Sequence, residues 1–221
     1  MSPSGEAQTP PPATPRPYPV DLTIDYQDRE LNRTTTFFRL FVAIPILAIL
    51  SGLVGGAIFA ATHGGAWLAA VGGGLIVAPT ALMIIFEQKY PRWWFDFNKE
   101  LLSFILRIHV YLLLIDDRYP STTDTQAVHL KLEYPDAKEE LSQFMPIIKW
   151  LLAIPHWVIL FFLNIGVLIG TIYAWFIILF TGRYPSDIFD LIVGIQRWQV
   201  RVVSYAMLMV TDEYPPFRIE S

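Results

Sequence analysis

Five ionisable side chains are spaced to work from helix faces. Asp190, Arg197 and Arg201 stand at offsets 0, 7 and 11, which is one stripe of an α-helix. Asp96 and Arg107 repeat the outer two of those positions earlier in the chain. A guanidinium presents a planar fork of donors that matches phosphate or carboxylate. The chemistry this stripe suits is therefore the grip of an anionic headgroup or an acidic partner. No nucleophile–base pair accompanies it, so a lipid-modifying enzyme built on Asp96, Arg107, Asp190 and Arg201 is the weakest of three functional readings.

The other reactive side chains add no site. A two-histidine haem or metal site needs both rings on facing helices at matched depth. His63, His109, His129 and His156 are scattered, and they read as solvated or interfacial. There is no H-E-x-x-H, no G-x-S-x-G and no phosphate-binding glycine loop. The chain has no cysteine, which excludes disulfides, thiolate metal ligands and cysteine nucleophiles. No catalytic residue, cofactor or metal site is expected.

The elements that carry these residues are apolar. Of 221 residues, 53% are hydrophobic and 16% charged. Soluble domains average about 45–50% and about 25%, so the chain reads as a membrane protein. Its net charge of −4 offers nucleic acid no basic surface. Residues 1–19 are rich in proline, lack an apolar run and read as a disordered tail that is not a secretory signal.

The rest is written twice. Val20-Asp21-Leu22-Thr23-Ile24-Asp25-Tyr26 alternates apolar and polar residues, the mark of a half-buried strand. Val128-His129-Leu130-Lys131-Leu132-Glu133-Tyr134 does the same. A lone strand needs a partner, and each supplies the other. Arg39 opens a run into Ala43-Ile44-Pro45, and Lys149 opens one into Ala153-Ile154-Pro155. Lys89-Tyr90-Pro91 is echoed by Arg183-Tyr184-Pro185, Phe95-Asp96 by Phe189-Asp190, Arg107 by Arg201, and Asp117-Arg118-Tyr119-Pro120 by Asp212-Glu213-Tyr214-Pro215. The order is kept throughout, so the expected fold is a mainly α integral membrane protein made by tandem duplication. Each unit holds one β-strand, a transmembrane helical hairpin and an amphipathic interfacial helix. Unit 1 (20–120) has its strand at 20–26, hairpin at about 37–86 and amphipathic helix at about 93–115. Unit 2 (121–221) has them at 128–134, about 147–181 and about 187–210.

A membrane-crossing helix needs about 20 apolar residues. The first region has room for two arms around Thr62-His63-Gly64-Gly65, and its glycines, Gly52, Gly55, Gly56 and Gly72–Gly74, permit close helix approach. The second is some 16 residues shorter by the same landmarks. It is either one long tilted helix or a tight hairpin turning near Asn164-Ile165-Gly166. The hairpin is favoured, because it keeps Lys149 and Arg183 on one side of the membrane. The positive-inside rule then makes both termini cytoplasmic. Pairing of Asp96 with Arg201 across the units is a further option. Tyr90, Tyr119, Tyr134, Tyr184 and Tyr214 each precede proline, and these pairs read as places where elements leave the membrane surface.

Phe180-Thr181-Gly182-Arg183-Tyr184-Pro185, the Phe189–Trp198 run and Asp212-Glu213-Tyr214-Pro215-Pro216-Phe217 resemble a bacterial multi-pass membrane family catalogued as domain of unknown function four-three-eight-nine. The resemblance covers roughly Tyr18 to Phe217 and is most specific over Phe180–Phe217. The first unit departs from it at Gln88-Lys89-Tyr90-Pro91. It implies the membrane class and no activity. The expectation is a non-enzymatic scaffold of the bacterial cytoplasmic membrane that docks partners or organises lipid. Its partners would be the bilayer, anionic headgroups, a protein or a second copy. The alternative is part of a small-solute transporter or channel formed by oligomerisation.

Overall fold

Period-two alternation sets the two strands. In the computed structural model, which describes residues 18–54, 66–124 and 126–220, strand β1 (Val20–Ile24) pairs antiparallel with β2 (Val128–Leu132), Leu22 opposite Leu130. Val20, Leu22 and Ile24 are buried, while Asp21 and Thr23 face out. Tyr26 and Tyr134 fall just beyond the strand ends, where their hydroxyls donate to the carbonyls of Tyr184 and Tyr90.

Among the described residues, five helices make up most of the rest: α1 (Arg33–Val54), α2 (Ala66–Glu87), α3 (Arg92–Leu112), α4 (Met145–Thr181) and α5 (Ser186–Ala206). The Asn32 side chain accepts from the backbone N–H groups of Thr34 and Thr35 at 3.0 and 3.1 Å, the N-cap role that suits asparagine. Pro91 and Pro185 stand in extended geometry just ahead of α3 and α5. Proline tolerates a helix start, where no intrahelical N–H bond is lost. These two Tyr-Pro pairs therefore begin helices.

The second apolar region is one continuous helix of 37 residues, α4. This corrects the hairpin at 147–181. The expected turn does not form because Asn164 is satisfied within the helix. Its amide donates to Leu160 O and accepts from Gln199 Nε2, both at 2.7 Å. A Cβ at Gly166 would meet nothing within 4 Å, and the helix continues through it. Lys149, expected at a basal end, is only 1% exposed. The residues of the first hairpin's turn, with His63, Gly55 and Gly56, lie outside the described residues, as do 1–17 of the proline-rich tail. Tyr18 and Pro19, assigned to that tail, are bonded: Tyr18 donates to Glu213 O, and Pro19 O accepts from Glu133 N.

The elements stack in order. α4 packs antiparallel along α5, the far side of α5 covers β1, and α3 covers β2, while α1 lies against α3 and α4. Residues 33–50 of α1 and the whole of α4 are long and apolar enough to cross a membrane.

Contacts recur in reciprocal form. Tyr90 donates to Leu208 O and Tyr184 to Leu113 O. The Arg39 guanidinium lies 4.4 Å from the Tyr111 ring, and Lys149 Nζ lies 5.1 Å from the Tyr205 ring. α4 ends on Gly182 at φ 75°, and α2 ends on Gln88 at φ 46°. Gln88 N donates to Ile84 O, the single bond of an αL helix stop. That conformation is strained for any residue with a Cβ. Gln88→Gly is expected to raise stability by about 1 kcal/mol. Thermal unfolding in detergent checks this, and a lowered Tm would contradict it.

Candidate anion-binding site

A cleft of about 450 Å³ opens where β1, β2, α5 and the C-terminal segment meet. Arg197 and Arg201 enter it from successive turns of α5, Lys131 from the exposed face of β2, and Arg218 from the segment after α5. Against these four cations the lining sets two carboxylates, Asp21 and Glu133.

Backbone carbonyls fix the two helical arginines. Arg197 Nε donates to Leu22 O at 2.9 Å, which ties α5 to β1. Arg201, 4% exposed, donates through Nη2 to Arg218 O at 2.7 Å and Glu220 O at 3.0 Å. Burial first, and the like charge of Arg218 second, draw the Arg201 guanidinium below its ordinary range, with Tyr18 and Asp21 opposing. Burial, then the charge of Glu213, push the Tyr18 phenol above its ordinary range, so Tyr18 is a neutral wall. A crowded cationic cleft of this kind favours an incoming phosphate or carboxylate.

The other candidate residues lie elsewhere. Arg107 donates to Ser121 O at 2.9 Å. Asp96 pairs with Arg92 at 3.5 Å on an exposed turn. Asp190 is exposed on α5. The Asp96–Arg201 pair is not formed, because Arg201 is held by the C-terminal carbonyls. Lys131, Tyr18 and Arg218 were not singled out from sequence. Lys131 was legible on the polar face of its strand, whereas Arg218 belongs to no periodic element.

His156 is fully buried, which corrects its reading as solvated or interfacial. It accepts from Trp198 Nε1 at 3.0 Å and stacks on Phe217 at 4.0 Å. His129 pairs with Asp25 at 2.9 Å on the exposed sheet face, and His109 is exposed.

A second charged cluster joins the chain ahead of α1 to the chain after α3. Arg29 pairs with Asp116 and Asp117, and Arg118 pairs with Asp116 at 2.8 Å. Burial works to raise the Asp117 carboxyl, but the hydrogen bonds from Arg29 and Asn32 N and the charges of Arg29 and Arg39 outweigh it and hold it below its ordinary value. A carboxylate depressed by folding stabilises above its unfolded pKa, about 3.9, and loses that effect as pH falls through the folded value. The stability gap between wild type and Asp117→Asn is therefore expected to be full at neutral pH and to close below about pH 4. Denaturation across pH checks this, and a gap unchanged down to about pH 3 would contradict it.

With the cleft and the α4–α5 pair described, the match to known sequences has a structural meaning. Residues 146–218 match the family model of DUF4389, a domain of unknown function. The matched segment contains nearly all of α4, all of α5, and the C-terminal turn that carries Arg218. Arg197, Arg201 and the buried Lys149, His156 and Trp198 all fall within it. No curated protein and no solved structure matches the chain.

Proposed function

We propose that the chain is a non-enzymatic scaffold of the bacterial cytoplasmic membrane, built by tandem duplication, with its cationic cleft turned to the cytoplasm to hold an anionic group. One observation carries this reading: the molecule has two unlike sides. In α1 and α4 only 22% of each apolar window is buried, whereas a soluble core helix is mostly covered. Phe41, Leu151, Phe161 and Phe180 are among the apolar side chains left open. An apolar surface of that extent suits a bilayer. On the other side lie the exposed polar residues of the sheet and the cleft. The reciprocal tyrosine bonds and the matching Arg39 and Lys149 contacts support the duplication.

Two crossings are assigned to α1 and α2, each 22 residues long and thus about 33 Å. This makes the chain multi-pass and leaves both termini cytoplasmic. Anionic lipid headgroups and acidic protein segments share the chemistry the cleft would take.

A photo-crosslinker placed at Lys131 or Arg218 in cells tests the reading. The scaffold reading expects an adduct with phosphatidylglycerol or with one discrete acidic protein, lost when Arg197 is changed to Glu. The transporter alternative draws on the glycine-rich arms of α1 and α2. It expects solute flux in proteoliposomes that falls with Arg107→Ala or Arg201→Ala. Flux of that kind with no adduct would overturn the scaffold reading.

A further inference from the structure

We infer that α4 lies in the plane of one leaflet and adds no crossing, an inference that rests on the membrane reading above. At 37 residues, α4 is about 55 Å long, far more than the roughly 30 Å hydrocarbon core requires. Length alone would permit a tilted crossing. The neighbours of α4 forbid it.

From its second residue on, the buried residues of α4 form a single stripe along its length: Pro146, Lys149, Ala153, His156, Leu160, Val167, Ala174 and Ile178. α5 and the segment that follows it lie against that stripe. Lys149 meets Thr211 and Asp212, His156 meets Trp198, and Gly170 faces Ile188 and Ile192. The far side of α5 is bound to β1 through Arg197 and carries the cleft. The outer face of the sheet presents Asp21, Thr23, His129 and Lys131 to solvent. These layers run parallel to α4. Standing α4 upright would carry Arg197, Arg201 and the charged sheet face through the hydrocarbon, where ionised groups are strongly disfavoured.

The opposite side of α4 needs the reverse environment. Leu151, Phe162, Ile169 and Phe176 are all at least half exposed. Spaced 11, 7 and 7 residues apart, they point the same way, directly opposite the buried stripe. This apolar face extends along most of the helix. Only an in-plane helix places the whole face in acyl chains and the whole of α5 and the sheet toward water.

The absence of native cysteines makes the test clean. The full chain is prepared as four single variants, Leu151→Cys, Phe162→Cys, Ile169→Cys and Phe176→Cys. Each is nitroxide-labelled and reconstituted in phosphatidylethanolamine–phosphatidylglycerol vesicles. Depth is read from the competing accessibilities of oxygen and a water-soluble nickel chelate. The expected result is four depths of about 5–10 Å below the headgroups, alike within a few ångströms. Labels at 151 and 176 near opposite headgroups, with 162 near the bilayer centre, would overturn the in-plane placement and leave the membrane reading standing. Four labels open to the chelate would overturn both.

Discussion

Changing Asp212 to alanine is expected to destabilise the protein by about 3–5 kcal/mol, the usual loss when one partner of a buried ion pair is removed. Lys149 is 1% exposed, and its ammonium lies 2.7 Å from the Asp212 carboxylate. It also donates to Thr211 O at 2.7 Å and faces the Tyr205 ring. These contacts cannot neutralise its charge, so the alanine variant keeps a buried cation without its counter-ion. A Tm lowered by on the order of 10 °C in detergent is the expected reading. The double variant Lys149→Met, Asp212→Leu removes both charges and should recover most of the loss, since apolar replacement of a buried pair is often neutral. If the double variant were as unstable as the single, the damage would come from lost packing, and the ion-pair account would fail.

The second large effect is expected at Trp198. Its indole is 6% exposed, donates to His156 Nδ1 at 3.0 Å and packs edge-on to Phe217 at 5.8 Å. Trp198→Ala should cost about 3–5 kcal/mol, the range for emptying a buried aromatic site. Trp198→Phe keeps much of the volume but leaves the His156 nitrogen without its donor, and should cost about 1–3 kcal/mol. The order alanine below phenylalanine below wild type in Tm is the result to look for. Equal values for the two variants would mean that the hydrogen bond sets the whole effect. This site joins α4, α5 and the C-terminal segment. Both variants should therefore also loosen the Phe217–Glu220 stretch, seen as faster amide exchange there.

The strands were legible because period-two alternation has few competing explanations. Val20, Leu22 and Ile24 against Asp21 and Thr23 specify one buried face, and a second strand with the same pattern left little doubt about the partner. The amphipathic stripe on α5 was also readable. Its use was less so, because spacing shows that Arg197 and Arg201 share a side of the helix and not what meets them there. They meet Leu22 O and the Arg218 and Glu220 carbonyls.

The error at 147–181 has a physical source. Charge counting treated Lys149 as a marker of the membrane surface, yet Lys149 is buried against Asp212. Asn164 looked like a turn residue because it is polar in an apolar run, yet its amide is satisfied by Leu160 and Gln199. Asp212 and Gln199 arrive from distant parts of the chain, and local patterning does not contain them. His156 was misread for the same reason: its donor is 42 residues away.

The central claim is that the open apolar faces of α1 and α4 are seated in a bilayer. The most direct measurement is an alkaline carbonate wash of membranes from bacteria expressing the full chain, followed by flotation of the washed material. The account predicts that the protein stays with the lipid and floats with it. Release into the supernatant as a monodisperse soluble species would contradict it.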